Sequence, residues 1–82
     1  MYETINEPVR VLASFGPGGA KPLAFEWNGR RYAIEKVNLV HTVREGRELV
    51  YYFSVSDSMN YFKLKLCTSQ LHWSLEELYT VG

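Results

Sequence analysis

The chain has 82 residues, of which 46% are hydrophobic and 15% aromatic, and its nine Lys plus Arg balance nine Asp plus Glu. That composition excludes disorder, allows one modest core, and removes the field that draws a strongly basic chain to nucleic acid or anionic lipid. No apolar run reaches the roughly 18 residues of a membrane span, MYETINEPVR lacks the apolar stretch of a signal peptide, and the lone Cys67 cannot form an internal disulfide. The expectation is a soluble, cytoplasmic protein in a reducing compartment with no membrane partner, folded as a single all-β domain over residues 1–82.

Apolar and polar residues alternate almost throughout, which is the period of a strand. Val9, Val11, Ala13 and Phe15 alternate with Arg10, Leu12 and Ser14 as a first strand, broken by Gly16-Pro17-Gly18-Gly19. That glycine-rich piece is read as a flexible turn, not a phosphate cradle, because another alternating run follows it where a helix would be needed. Leu23, Phe25 and Trp27 share one face of a second strand, and Asn28-Gly29 is the pair best suited to a two-residue type I′ turn. The turn predicts Trp27 opposite Arg30, Phe25 opposite Tyr32 and Leu23 opposite Ile34. Beyond Ile34 the apolar positions move from even to odd, with Val37, Leu39 and Val43, so a bulge is expected near Glu35-Lys36.

Arg44-Glu45-Gly46 reads as a three-residue hairpin loop, which sets Val37 opposite Phe53, Leu39 opposite Tyr51 and His41 opposite Leu49. Asp57-Ser58-Met59-Asn60 forms the next turn and pairs Val55 with Phe62, Phe53 with Leu64 and Tyr51 with Leu66. After a loop over Cys67 to Gln70, Leu71, Trp73 and Leu75 resume the alternation. Ser74-Leu75-Glu76-Glu77 also matches a capping box that would open a helical turn through Tyr79, so the end of the chain is strand, the favoured reading, or short helix. The fold class is therefore all-β: an antiparallel meander of about six strands, strongly bent or closed into a small open barrel. Phe25, Trp27, Tyr32, Ile34, Tyr51, Phe53, Phe62, Leu64, Leu66 and Trp73 are the expected core.

Asn6-Glu7-Pro8-Val9-Arg10-Val11, Pro22, the block Phe25-Glu26-Trp27-Asn28-Gly29-Arg30-Arg31-Tyr32, then Tyr52-Phe53-Ser54-Val55, Tyr61-Phe62-Lys63-Leu64 and Trp73-Ser74-Leu75 together resemble a small bacterial all-β family, domain of unknown function 6504. The resemblance spans nearly the whole chain. It implies an association with DNA repair, since some members are similar to proteins encoded beside translesion polymerase components, and it carries over no catalytic residue. The chain departs from the family pattern in Leu39-Val40-His41, where a Trp is common, and in its neutral charge.

Little in the sequence points to chemistry. His41, His72 and Cys67 are the only soft metal ligands and lack ligand spacing, so neither a metal nor a cofactor is expected. No nucleophile-elbow pattern occurs, and the carboxylate pairs Glu76-Glu77 and Glu45/Glu48 are expected not to converge on a substrate. A non-enzymatic role follows. The candidate surface is the second face of the sheet, where the fourth and fifth strands should pair Ser56 with Tyr61, Ser54 with Lys63, Tyr52 with Lys65 and Val50 with Cys67, and which Arg30 and Arg31 could extend. Tyr52, Tyr61, Lys63, Lys65, Arg30 and Arg31 are its binding candidates. Residues 28–65 carry seven basic and four acidic groups, a local excess of three.

Two occupants suit that face. A protein partner or a second copy could dock on an apolar patch of Val40, Thr42, Val50 and Tyr52, and this is the preferred reading. The alternative is single-stranded nucleic acid, stacked on the tyrosines with its phosphates on the lysines.

Overall fold

A computed structural model describes residues 1–80 as eight strands with no helix among them: β1 (Tyr2–Pro8), β2 (Arg10–Gly16), β3 (Gly19–Trp27), β4 (Arg30–Ala33), β5 (Lys36–Glu45), β6 (Glu48–Ser56), β7 (Asn60–Cys67) and β8 (His72–Thr80). They form two antiparallel sheets, one ordered β1-β8-β7-β6-β5 and the other β2-β3-β4. The all-β expectation holds, with eight strands where about six were expected. Strand β1 was not anticipated, and the expected third strand is divided between the two sheets.

The chain changes sheets twice. Pro8, which has no N–H for a ladder, ends β1, and the Val9 amide then donates to the Trp73 carbonyl at 3.2 Å before β2 begins. On the return, the Ile34 amide still bonds Leu23 of the small sheet, at 2.9 Å, while the next amide, Glu35, bonds Ser56 of the large one, also at 2.9 Å. The irregularity expected near Glu35-Lys36 is this crossing. The true bulge of β5 is Asn38, extra between the pairs Val37–Val55 and Leu39–Ser54, and held by its side-chain amide donating to the Ser56 hydroxyl at 3.1 Å.

The hairpin β3–β4 has the predicted register, with Phe25 opposite Tyr32 and Trp27 opposite Arg30. Asn28 and Gly29 have φ of 55° and 75°, the left-handed pair a type I′ turn requires. Leu23 leaves the predicted face because it is the extra residue of a bulge against Leu12 and Ala13, which turns Pro22 inward and exposes Leu23. Proline in a central strand is tolerated at such a bulge.

The hairpin β5–β6 corrects the sequence reading. Its loop is the two residues Gly46-Arg47, closed by Glu45 opposite Glu48, and Gly46 alone has positive φ, 65°, the pattern of a type II′ turn. The register is three residues from the predicted one, and an odd slip exchanges faces. Val40 and Thr42 lie opposite Phe53 and Tyr51, whereas Leu39 and His41 lie opposite Ser54 and Tyr52 on the outer face. The hairpin β6–β7 has the predicted register throughout. Asp57 fixes its turn, accepting at one carboxylate oxygen from the Met59 and Asn60 amides at 2.8 and 2.7 Å. The C-terminal segment is strand, not helix, and the Ser74 hydroxyl donates to Glu76 instead of capping a turn.

The small sheet lies against the inner face of the large one. Phe25, Phe53, Val55, Phe62, Leu64, Leu66 and Leu75 form the buried cluster, edged by Trp27, Tyr32, Ile34, Tyr51 and Trp73. Phe62 of the large sheet meets Phe25 and Tyr32 of the small one edge-on, at 4.8 and 5.4 Å, contacts that couple the two sheets. Each such pair contributes about 0.5–1.5 kcal/mol beyond its buried area. Trp27 adds a polar link, its indole donating to Glu7 of β1 at 3.1 Å.

Candidate functional site

The outer face of the large sheet is built by alternation. On β6 and β7 the inner positions go to Phe53, Val55, Phe62, Leu64 and Leu66, so Tyr52, Ser54, Tyr61, Lys63, Lys65 and Cys67 face outward. All four expected cross-strand pairs, Ser56–Tyr61, Ser54–Lys63, Tyr52–Lys65 and Val50–Cys67, are present. Strand β8 joins the same face with Glu77 opposite Lys63 and Tyr79 opposite Tyr61, then shifts by one residue at Glu76 so that Leu75 and Leu78 both point inward.

Two arrangements result. At one end three tyrosines cross three strands, since Tyr61 is paired with Tyr79 and Tyr79 with Tyr2, and they are 52%, 49% and 56% exposed. They border a shallow depression that also reaches Ser54, Lys63 and Glu77. At the centre, Tyr52 lies beneath two lysines, with the Lys63 and Lys65 ammonium groups 5.1 and 5.9 Å from its ring centre. Each of these cations also faces a carboxylate: Lys63 is 3.9 Å from Glu77 and Lys65 is 3.7 Å from Glu45, which accepts the Tyr52 hydroxyl at 3.0 Å.

These contacts shift protonation. Desolvation, then the hydrogen bond to Glu45, raises Tyr52 above the ordinary phenol value. Burial alone would lower Lys65, but the negative potential of Tyr52, Glu45 and Glu76 outweighs it and holds the amine above its usual range. Glu48 lies directly opposite Glu45, so these two carboxylates do share a face. They do not act as a pair, because Glu48 accepts from the Cys67 thiol at 2.9 Å and from the Ser69 hydroxyl. The Cys67 and Ser69 bonds, helped by Lys65, hold Glu48 below the usual carboxylate value against the opposing effect of burial. The same Glu48 contact, then burial, raises Cys67, which keeps it a thiol and a poor nucleophile.

The remaining predicted residues separate. Arg30 lies over the Tyr32 ring at 5.6 Å, and Arg31 lines a depression with Arg10 and Glu26 on the outside of the small sheet, so neither extends the tyrosine and lysine surface. The expected patch of Val40, Thr42, Val50 and Tyr52 is not assembled. Val40 and Thr42 belong to the other face, and Val50 is wholly buried between Val43 and Cys67. His41 is exposed beside Tyr52, 6.4 Å between ring centres, rather than opposite Leu49. Among the described residues no three His, Cys, Asp or Glu side chains gather to hold a metal, and no helix is long and apolar enough to cross a membrane.

Sequence reasoning missed Tyr2, Tyr79, Glu45 and Glu77 as members of the surface. Extending β8 past Leu75 with a parity change at Glu76 would have found Glu77 and Tyr79. No family model, curated protein or solved structure matches the chain.

Proposed function

We propose that this chain is a non-enzymatic interaction module that binds a protein partner through the outer face of its large sheet. The observation that carries the reading is the exposed row Tyr61, Tyr79 and Tyr2, next to lysines already engaged by carboxylates. Tyrosine supplies large, rigid contact area with few rotatable bonds, and a rim of paired charges surrounding such a patch is the usual anatomy of a protein interface. Lys63 and Lys65 serve as that rim, and a lone, unpaired Cys67 suits a reducing cytoplasm.

Single-stranded nucleic acid is the second reading, favoured by the two cations over Tyr52 and by the resemblance to a repair-associated family. It is weaker because phosphates would have to displace Glu45 and Glu77. An amide NMR titration with a short single-stranded oligonucleotide at low salt, repeated at high salt, separates the two. The expected result is no cluster of shifts at Tyr52, Tyr61, Lys63 and Lys65. Shifts there that vanish with salt would overturn the protein reading. In parallel, a partner held by the wild type and released by Tyr61→Ala with Tyr79→Ala supports it.

A further inference from the structure

The two sheets have four outer edges, and two are blunted. β1 carries Glu3, Glu7 and Pro8 and is kinked where Asn6 takes φ of 51°, and β4 has four residues. Charge, proline, bulges and shortness are the devices that keep strand edges from pairing with other chains. β2 is uncharged from Val11 to Phe15 but has seven residues in all. β5 is the longest edge, and its bulge at Asn38 lies near its start. It is ten residues long, and from Leu39 to Val43 it carries no formal charge, no proline and no glycine. Leu39 on one face is 61% exposed and Val40 on the other 48%.

We propose that a second copy of this chain pairs with the β5 edge in antiparallel fashion about a two-fold axis at His41, joining two five-stranded sheets into one of ten strands. This surface is distinct from the tyrosine face and does not depend on that assignment. Hydrogen bonding locates the axis. Glu45 and Glu48 close the two-residue turn as a bonded pair, so Val43 and His41 turn their backbone groups toward β6, and Arg44, Thr42 and Val40 turn theirs outward. The Leu49 carbonyl agrees with this count, because it accepts from the Thr68 amide on the β7 side, facing away from Arg44. A two-fold at His41 makes Val40 and Thr42 of the two copies exchange backbone bonds, while the two His41 residues meet as a non-bonded pair.

Side chains agree with the same register. Leu39 falls opposite Val43, which covers the most exposed aliphatic group of the strand. Because the Asn38 bulge removes one position from the ladder, Lys36 of each copy falls opposite Glu45 of the other, on the outer face they share. The Lys36–Glu45 contact, made twice by the two-fold, is the charge complementarity that favours a second copy in this register.

Sedimentation velocity from low to high micromolar protein tests the dimer, with two variants to locate it. Val40→Pro removes an N–H that points away from β6 and exchanges a half-exposed side chain for another apolar one, so it should leave the thermal midpoint near that of the wild type and weaken dimerisation about tenfold or more. His41→Cys in a Cys67→Ser background should form a disulfide-linked dimer under mild oxidation, because non-bonded antiparallel partners lie about 4.5 Å apart at Cα. A wild type that stays monomeric throughout overturns the proposal. So does a dimer that His41→Cys fails to cross-link or that Tyr61→Ala abolishes, since it would then use another surface. If Val40→Pro does not fold, the cross-link alone decides.

Discussion

The two faces of the large sheet are made by the same strands and differ in kind. On the inner face of β6 and β7, Phe53, Val55, Phe62, Leu64 and Leu66 are buried, and their stability comes from packing without hydrogen bonds. One residue along in each case, Tyr52, Lys63, Lys65 and Cys67 form a lattice of partly exposed charges and hydroxyls whose members hold one another by geometry. A period of two residues separates a face that makes the fold from a face that is available for use. Stability should therefore report on the first and be nearly silent about the second.

Truncation gives the largest contrast. Phe53→Ala or Phe62→Ala should cost about 3–5 kcal/mol, a large share of the stability of so small a fold, whereas Tyr61→Ala should cost less than about 1 kcal/mol. Denaturant unfolding of the three proteins measures both, and comparable losses at Tyr61 and Phe53 would erase the distinction between the faces.

Glu48 probes the outer lattice at its most connected point. Its carboxyl is held below the ordinary value of 4.5, so its stabilisation is fully present above that pH and is lost as pH falls through the depressed value. Cys67 has the opposite sign. Its pKa is raised above 9.0, so its contribution is present below that pH and disappears as pH climbs through the raised value. Glu48→Gln should narrow both losses, which appear as flatter limbs in a plot of thermal midpoint against pH, and should speed alkylation of Cys67 severalfold near pH 8. A variant with wild-type limbs and wild-type thiol reactivity would show that the Glu48 contacts do not persist in solution.

The smallest effect belongs to the pair Lys63 and Glu77, whose side chains are both about two-fifths exposed. Lys63→Met should change stability by about 1 kcal/mol or less, and added salt should shrink the difference further. A larger change would mean that the cation above Tyr52, rather than the ion pair, organises this face.

How far the sequence disclosed these faces depended on turn chemistry. Asn28-Gly29 admits one tight hairpin, and Asp57 with Asn60 closes another, so β3–β4 and β6–β7 were legible to the residue, and with them the pairs Tyr52–Lys65 and Ser54–Lys63. Arg44-Glu45-Gly46-Arg47 was ambiguous. One left-handed glycine can end a three-residue loop or begin a two-residue one, and the choice moves Leu39 and His41 from one face to the other. Glu45 consequently went unrecognised as the partner of Tyr52 and Lys65. Parity changes at Leu23, Asn38 and Glu76 are each a single inserted residue, and only Pro22 beside Leu23 signals one in advance. β1 escaped notice because Ile5 is its only inward apolar side chain, too little to produce a visible period.

That sparse strand has a consequence for how the molecule is made. Tyr2 is paired with Tyr79, so β1, synthesised before the other seven strands, has no ladder until nearly eighty residues later. A strand rich in valine and isoleucine would spend that interval seeking neighbouring nascent chains. Glu3, Glu7 and Pro8 instead let it wait in solvent, while the hairpins β3–β4, β5–β6 and β6–β7 close locally as each emerges. The N-terminal segment is then the last to be zipped into place, a late step that follows from strand order alone.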